Sequence, residues 1–255
     1  MEKIINTQQE KKLLFNVVVP VFNAEKYIEK CLSSILKQSY KRFQVQVVDD
    51  CSTDNSYEIA KSICKGNKNF RLIRNNRRIG ALNNISNLLN MNIKVPSKTV
   101  DIIVDGDDYL YSRDVLNILE EKYTQTNCLI TYGTYISSKG IQGKKYPKLV
   151  RKFNLFRKYF WYATHLKTFR HDLWLAINPK DLLNKKQEYF SVAGDLAIMF
   201  PMLEMAGNRQ DFMSEILYFY NDDNPISDHK IRRKEQIIAA KEIRQKKRYK
   251  KMKFD

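Results

Sequence analysis

The sequence is poor in cysteine and contains no long hydrophobic run. Its four cysteines among 255 residues include no C-x-x-C pair, which argues against a disulfide-rich secreted domain and favours buried thiols in a reducing cytosol. The first apolar run, residues 15–22, is interrupted by Asn16 and Pro20 and is too short for a signal or membrane-spanning segment. We therefore expect a cytoplasmic protein that is neither secreted nor inserted in a membrane.

Acidic residues are scarce relative to basic ones, and the imbalance is uneven along the chain. Lys and Arg number 45 against 28 Asp and Glu, which gives a formal charge of +17. Residues 144–186 carry twelve basic and two acidic side chains, residues 230–255 carry twelve and three, and the remainder sums to −2. Such an excess points to polyanionic partners, such as phosphate groups, anionic lipid or nucleic acid.

The last 26 residues, 230–255, form a basic tail that is expected to be helical or disordered. Its net charge of +9 makes it a candidate for peripheral contact with an anionic membrane surface. Its only aromatic residues are Tyr249 and Phe254, so no nucleic-acid partner is expected.

The first half of the chain alternates short apolar runs with longer amphipathic ones, a pattern typical of βαβ units. Strands are predicted at residues 15–21, 43–48, 70–73, 100–104, 128–135 and 216–220, and helices at residues 24–37, 57–63, 80–90, 113–123 and 195–206. Pro201 is expected to kink or shorten the last helix. The chain is thus predicted to be an α/β protein with a mainly parallel, Rossmann-like central sheet flanked by helices and a basic C-terminal appendage.

Three carboxylates follow the predicted strand that ends at Val104. Asp105, Asp107 and Asp108 lie within four residues, and like charges held so close repel unless a cation lies among them. Oxygen ligands favour Mg²⁺ or Mn²⁺, and Mg²⁺ commonly takes a substrate phosphate as a further ligand. The alternative is a solvated acidic turn before the next helix.

A second acidic pair, Asp49 and Asp50, ends the second predicted strand. In open α/β sheets ligands bind outside the carboxyl ends of the strands, so both acidic clusters are expected at a ligand site. A carboxylate there could accept hydrogen bonds from a base or ribose. The alternative is a helix cap, a role that Ser52 or Asp54 also fits.

Four segments in this order resemble the family 2 glycosyltransferases, which have the GT-A fold. They are Val17-Val18-Val19-Pro20-Val21-Phe22-Asn23, Val47-Val48-Asp49-Asp50-Cys51-Ser52-Thr53-Asp54, Asn75-Asn76-Arg77-Arg78-Ile79-Gly80 with Asn84, and Val104-Asp105-Gly106-Asp107-Asp108. The resemblance implies an N-terminal extension at 1–14, a nucleotide-sugar-binding half at 15–140, an acceptor-binding half of the same domain at 141–229, and the tail.

The resemblance also implies a role for individual residues. Residues expected to bind the nucleotide sugar are Pro20, Val21, Phe22, Asn23, Asp49, Asp50, Arg74, Asn76, Arg78, Gly80, Asp105, Gly106 and Asp107. The metal, Mn²⁺ or Mg²⁺, is assigned to Asp107 and Asp105, with His229 as a further candidate that is about equally well explained as a surface residue. His165, Lys167 and Arg170 fall where related sequences have an acceptor-side segment.

Inversion at the sugar needs a carboxylate base, and the resemblance assigns it to Asp195. The family places this Asp after Glu or Thr at the start of a late helix, whereas here it follows Gly194. The alternative is an acid that only favours the helix N-terminus, an effect of ~0.3–1 kcal/mol. Trp161 and Trp174 could stack on a sugar, although core packing is the commoner fate of such residues.

The resulting hypothesis is a metal-dependent enzyme that transfers a sugar, with inversion, from a nucleotide-diphosphate donor to an acceptor hydroxyl. The donor is expected to be a UDP-sugar, and the acceptor a glycan, a lipid-linked molecule or a protein. The alternative is a non-catalytic protein on a degenerate GT-A scaffold that binds nucleic acid or an anionic surface, a reading supported by the net charge and by Gly194.

Overall fold

The computed structural model describes residues 12–91, 93, 95–225 and 228–253, with Asp228 and His229 described by their backbone alone. Within these residues nine strands form one sheet. The strands are β1 (Leu14–Val21), β2 (Phe43–Asp49), β3 (Phe70–Arg74), β4 (Thr99–Ile103), β5 (Tyr109–Leu110), β6 (Ile130–Ser137), β7 (Gly140–Gln142), β8 (Lys167–Arg170) and β9 (Gln210–Phe219).

Helices connect these strands and cover the sheet. The α-helices are α1 (Ile28–Leu36), α2 (Ser56–Cys64), α3 (Ala81–Leu89), α4 (Val115–Thr126), α5 (Lys148–Lys152), α6 (His171–Leu175), α7 (Gly194–Ala206), α8 (Asp228–Ile231) and α9 (Arg233–Gln245). Short 3₁₀ turns occur at Pro96–Lys98, Phe156–Lys158 and Pro179–Leu182. Among the described residues, no helix has both the length and the apolar composition needed to cross a bilayer.

The sheet has a parallel half and a mixed half. Its order is β3-β2-β1-β4-β8-β6-β9-β5, with β7 paired to β6 as a hairpin. The pairs among β3, β2, β1 and β4 are parallel, whereas β8 runs antiparallel to β4 and to β6. Because β8 and β9 belong to the same sheet as β1, the expected halves 15–140 and 141–229 share one framework.

The parallel half brings the predicted site segments to one edge. Val21 lies beside Asp49 in the β1–β2 register, and Val18 lies beside Ile103 in the β1–β4 register. Parallel strands end on the same side of a sheet, so the loops after β1, β2 and β4 converge.

Strand β1 is buried on both faces, which explains its nearly continuous apolar sequence. Val17 and Val19 belong to a core cluster that also contains side chains of α1 and α4, whereas Val18 belongs to a second cluster containing side chains of α3 and α7. Successive strand residues point to opposite faces, so a single run of valines supplies both cores.

Several element boundaries differ from the predicted ones. Asn23 does not cap α1, which begins at Ile28; its side-chain Oδ1 accepts a hydrogen bond from the Thr53 N–H instead. Strand β9 begins at Gln210 rather than at residue 216, and α7 continues through Pro201 to Ala206. All four cysteines are free thiols; Cys31 and Cys128 are buried as expected, whereas Cys51 and Cys64 are partly exposed.

The basic tail is helical in its first half. Helix α9 is anchored by Arg157, whose guanidinium donates to the Ile243 carbonyl oxygen and pairs at 2.7 Å with the buried carboxylate of Glu204. The chain after α9 also packs on the body, because the Tyr249 N–H donates to Glu204. The expected helix is therefore found over Arg233–Gln245, and residues 247–253 have no regular secondary structure.

Candidate active site

A cleft of about 450 Å³ lies at the edge where β1, β2 and β4 end. Nine of the thirteen residues predicted to bind a nucleotide sugar line it: Pro20, Val21, Phe22, Asp50, Arg78, Gly80, Asp105, Gly106 and Asp107. The parallel topology thus gathers residues that are up to 87 positions apart in the chain.

One wall of the cleft is formed by the segment after β1 and the acidic turn after β4. The Arg78 guanidinium lies 3.8 Å from the centre of the Phe22 ring, which gives a flat cationic and aromatic surface. Gly106 packs so tightly on β1 that an added Cβ would lie 3.0 Å from the Pro20 carbonyl oxygen. Glycine at position 106 therefore allows the acidic turn to approach Pro20.

Asp50 holds the adjacent loop in place. Its carboxylate accepts hydrogen bonds from the backbone N–H groups of Ile79 and Gly80 and from the Asn75 side chain, at 2.8–2.9 Å. Burial by itself would raise the pKa of Asp50, but these bonds outweigh it and hold the pKa below its usual range. The carboxylate lines the cleft as an ionised group that also fixes the path of the loop.

Four predicted nucleotide contacts do not line the cleft. Asp49 is fully buried; it accepts from the Ser52 N–H and lies 3.5 Å from Arg74 Nε, while Arg74 stacks over Tyr57. Asn76 is exposed and lies outside the cleft, and the Asn23 side chain accepts a hydrogen bond from the Thr53 N–H. For Asp49 the reason is strand alternation, which turns neighbouring side chains to opposite faces and directs only Asp50 into the cleft.

The acidic turn divides its three carboxylates between two surroundings. Asp105 and Asp107 line the cleft, and Asp107 accepts a hydrogen bond from the Asn224 side chain at 2.7 Å. Asp108 is buried and accepts from the Tyr218 hydroxyl and the Asn221 N–H. Burial raises the pKa of Asp108 well above its ordinary value, and the charges of Asp107 and Asp105 raise it further.

His165, which the sequence predicts on the acceptor side, is among the side chains able to hold a divalent cation. Oxygen atoms of Asp105 and Asp108 and a ring nitrogen of His165 lie within 4.8 Å of one another. Burial, followed by the Lys167 charge, lowers the pKa of His165 well below its ordinary value, so its imidazole is neutral at pH 7. Carboxylate oxygens with a neutral imidazole suit Mn²⁺. The side chain of His229 lies outside the described residues.

Asp195 lies in a second cavity of about 240 Å³ that adjoins the cleft. The two spaces share Ala81, Asp105, Ser191 and Tyr220 as lining residues. Lys167 Nζ is 3.7 Å from Asp195 Oδ2. The predicted base and the acidic turn therefore border one continuous space.

Gly194 is explained by the packing of α7 against α3. An added Cβ at this position would lie 3.2 Å from the Leu82 Cβ, closer than side chains normally pack. The departure from the family pattern thus lets the start of α7 lie close to α3 and keeps Asp195 at the cavity.

The two tryptophans have different surroundings. Trp174 is buried and donates its indole N–H to Asn90, so it is a core residue. Trp161 lines a smaller space of about 170 Å³ beyond Asp195, together with Tyr135 and Tyr220.

Four residues that were not predicted from the sequence as site residues also line the cleft: Ser191, Tyr220, Asn224 and Arg232. They come from loops and strand ends late in the chain. Tyr220 directly follows the last strand, and that position is the only sequence signal that could have identified it.

Known proteins resemble this chain in sequence and in fold. The sequence profile of glycosyl transferase family 2 matches residues 16–184, about two thirds of the chain. The chain belongs to glycosyl transferase family 2. The matched residues include every segment that forms the cleft up to the acidic turn, whereas Asp195 lies outside them.

Two bacterial proteins are similar in sequence to this family 2 chain. Glycosyltransferase GlyG of Streptococcus pneumoniae is 31% identical over 133 residues, which are 52% of this chain and 42% of that protein. The poly(ribitol-phosphate) beta-N-acetylglucosaminyltransferase TarS of Staphylococcus aureus is 29% identical over 143 residues, 54% of this chain and 23% of that protein. The chain spans less than half the length of these curated relatives.

Solved structures confirm that the family 2 chain has the expected GT-A fold. TarS residues 1–349 in complex with UDP-GlcNAc superposes with a TM-score of 0.60 at 21% identity, covering 82% of this chain and 59% of that one. The mannosyltransferase PcManGT of Pyrobaculum calidifontis, in complex with GDP-Man and Mn²⁺, gives 0.55 at 19% identity over 82% and 57%.

Proposed function

We propose that this protein transfers a sugar from a nucleotide-diphosphate donor to an acceptor hydroxyl, with inversion at the sugar carbon. The observation that carries the proposal is the cavity shared by Asp195 and Asp105, because a base and a leaving-group site must face each other across the reacting carbon. A UDP-sugar is the proposed donor, supported by the UDP-GlcNAc complex of the structurally similar TarS.

The cleft is the proposed donor site. Phe22 and Arg78 offer a flat surface for the base, and the ionised Asp50 is placed to accept hydrogen bonds from it. Arg232 also lines this cleft and supplies positive charge for the diphosphate. These groups bind and orient the donor so that its sugar points toward the Asp195 cavity.

Asp105 and Asp107, which line the cleft, are the proposed ligands of Mn²⁺ or Mg²⁺. His165, grouped with Asp105 and Asp108, is a further candidate as a neutral nitrogen ligand. A cation held there would neutralise charge on the departing diphosphate. The carboxylates fit this role because they crowd one turn, and mutual repulsion favours a bound cation. The Mn²⁺ complex of PcManGT supports the choice of metal.

Asp195 is the proposed general base. The acceptor oxygen attacks the anomeric carbon, the bond from that carbon to the diphosphate oxygen breaks, and the hydroxyl proton passes to the Asp195 carboxylate. Lys167 is placed to keep this carboxylate oriented, at 3.7 Å. The aromatic space beyond Asp195, with Trp161 and Tyr135, is the proposed acceptor side, where a glycan, lipid-linked or protein hydroxyl would enter.

The substitution Asp195→Asn tests the proposal. It removes the proton acceptor without changing the donor cleft, so we expect turnover to fall roughly 10²–10⁴-fold. Calorimetric titration with UDP and Mn²⁺ is expected to give an unchanged dissociation constant. Asp172→Asn is a matched control, because Asp172 is also a first-turn acid, in α6, and lines neither cavity. Normal turnover in Asp195→Asn would remove the assignment.

The alternative of a non-catalytic binding protein is not favoured. The family match, together with a cleft and an adjoining carboxylate in one space, supports an enzyme. If this protein bound RNA in a salt-sensitive manner and did not bind UDP, the non-catalytic alternative would be favoured instead.

A further inference from the structure

Helix α9 attaches to the molecule by one face only. Ala239 and Ile243 are buried on that face, and Gln236 lines the Asp195 cavity. With about 3.6 residues per turn, these three positions fall on one side of the helix. The residues on the opposite side are exposed to solvent.

The solvent side of α9 combines aliphatic and cationic side chains. Ile237 and Ile238 are 63% and 67% exposed, which is unusual for isoleucine. Lys234 and Lys241 are exposed as well, and at about 100° per residue they fall between the two isoleucines around the helix. These four residues are called the α9 docking face.

We propose that the α9 docking face binds the surface of an anionic phospholipid bilayer. Isoleucine side chains can enter the boundary between headgroups and acyl chains, while the lysines extend toward phosphate groups from stems that lie along the same apolar surface. The segment as a whole, residues 230–255, has a net charge of +9, which matches the negative potential of such a surface.

A second basic segment lies against the same helix. Arg244 donates to the carbonyl oxygens of Arg157 and Tyr159, and Arg248 donates to that of Asn154. On either side of these contacts, Phe153 and Phe160 are exposed by 57% and 73%. The two most basic stretches of the chain are thus joined, and both expose apolar side chains.

Lipid fits this surface better than nucleic acid does. A nucleic-acid site would be expected to offer aromatic platforms for bases, whereas the apolar side chains of the α9 docking face are both isoleucines. An association of two copies through this face would bring the same positive charges together, which is unfavourable at low salt.

Docking by this face would place the Asp195 cavity one helix diameter, ~10 Å, from the bilayer surface. Gln236 lines the Asp195 cavity from the attached side of α9, so the helix lies between that cavity and the docking face. This consequence rests on the proposed transferase function and favours acceptors that are anchored in lipid. The docking itself does not depend on that function.

Co-sedimentation of the full chain with vesicles tests the proposal. We expect binding to vesicles of phosphatidylcholine mixed with phosphatidylglycerol, little binding to phosphatidylcholine alone, and weaker binding as salt rises. The double variant Lys234→Gln/Lys241→Gln should lower the partition coefficient by about fivefold for each lysine. Ile237→Ser/Ile238→Ser should lower it at least about threefold.

Matched control variants distinguish binding through the α9 docking face from nonspecific binding by exposed lysines or isoleucines elsewhere on the protein. Lys26→Gln/Lys37→Gln removes two exposed lysines elsewhere, and Ile141→Ser removes an isoleucine that is 63% exposed on β7. We expect both controls to bind vesicles like the wild type. Equal binding to the two kinds of vesicle, or unchanged binding by the α9 variants, would overturn the proposal. So would the finding that the protein forms an RNA complex or a dimer and that the α9 variants abolish it. Donor turnover without vesicles is measured separately, so failure of docking leaves the transferase proposal standing.

Discussion

At the scale of single residues, the site depends on carboxyl groups that hydrogen-bond donors or a nearby cation hold in place. Asp50 is held by three donors, Asp108 by a hydroxyl and a backbone N–H, and Asp195 lies near Lys167. Each arrangement gives a carboxylate a fixed direction. Rigid placement reduces the reorganisation that a reaction would otherwise require.

Lys167 is expected to act through Asp195. Replacing it in Lys167→Met removes an interaction of about 1 kcal/mol and should lower turnover about fivefold while leaving UDP affinity unchanged. Lys167→Arg should recover part of the loss. Lys122→Met, which removes a half-buried ion pair with Asp211, provides the control. Steady-state kinetics with parallel UDP titrations make the measurement, and a weakened UDP affinity with normal turnover would contradict the assignment.

Asp50 should make the free energy of unfolding depend on pH in the acidic range. Because its pKa is lower in the folded chain than in the unfolded chain, its stabilising contribution is complete above the unfolded value of about 3.9 and is lost as pH falls through the folded value. Asp50→Asn should therefore be less stable than wild type at pH 6, with the difference narrowing toward pH 2. Urea unfolding across that range makes the comparison. A difference independent of pH would show that the carboxylate charge contributes nothing.

At the scale of elements, helix–helix distance decides where the proposed base lies. The start of α7 packs against α3 through Gly194 and Leu82, and this contact positions Asp195 over the shared cavity. The sequence indicated both helices. It gave no indication that they touch, because Gly194 and Leu82 are more than a hundred positions apart.

Gly194→Val should disturb this contact. The added side chain would overpack against Leu82, costing about 1–3 kcal/mol and displacing Asp195, so both thermal stability and turnover should fall. Leu82→Ala in the same chain should recover part of each, giving a non-additive double-mutant cycle. Thermal unfolding and kinetics of the four proteins make the test. Strictly additive effects would indicate that the contact does not control the base.

At the scale of the whole molecule, the C-terminal segment is part of the fold. The buried pair of Arg157 and Glu204 is hydrogen-bonded to the backbone of α9 at Ile243 and to that of Tyr249. Loss of these two bonds would leave buried charged groups with fewer hydrogen-bond partners, which is costly.

Truncation after Arg232 should therefore destabilise the entire domain. We expect a loss of about 3–5 kcal/mol, because Arg157 and Glu204 each lose a hydrogen bond worth ~1.5–3 kcal/mol to a charged group, and the buried contacts of Ala239 and Ile243 are lost as well. Truncation after Lys253 serves as the control, since it removes only two residues. Urea unfolding followed by circular dichroism gives the free energies. An unchanged midpoint in the longer truncation would mean that the segment is an independent appendage.

The sequence by itself determined the order of strands and helices in the parallel half and the four segments that converge on the cleft. These follow from local patterns of apolar residues and from the rule that parallel strands end on one side. It did not determine that His165 joins the acidic turn or that Gly194 accommodates Leu82. Those facts depend on contacts between distant segments, and only the packing of the mixed half of the sheet decided them.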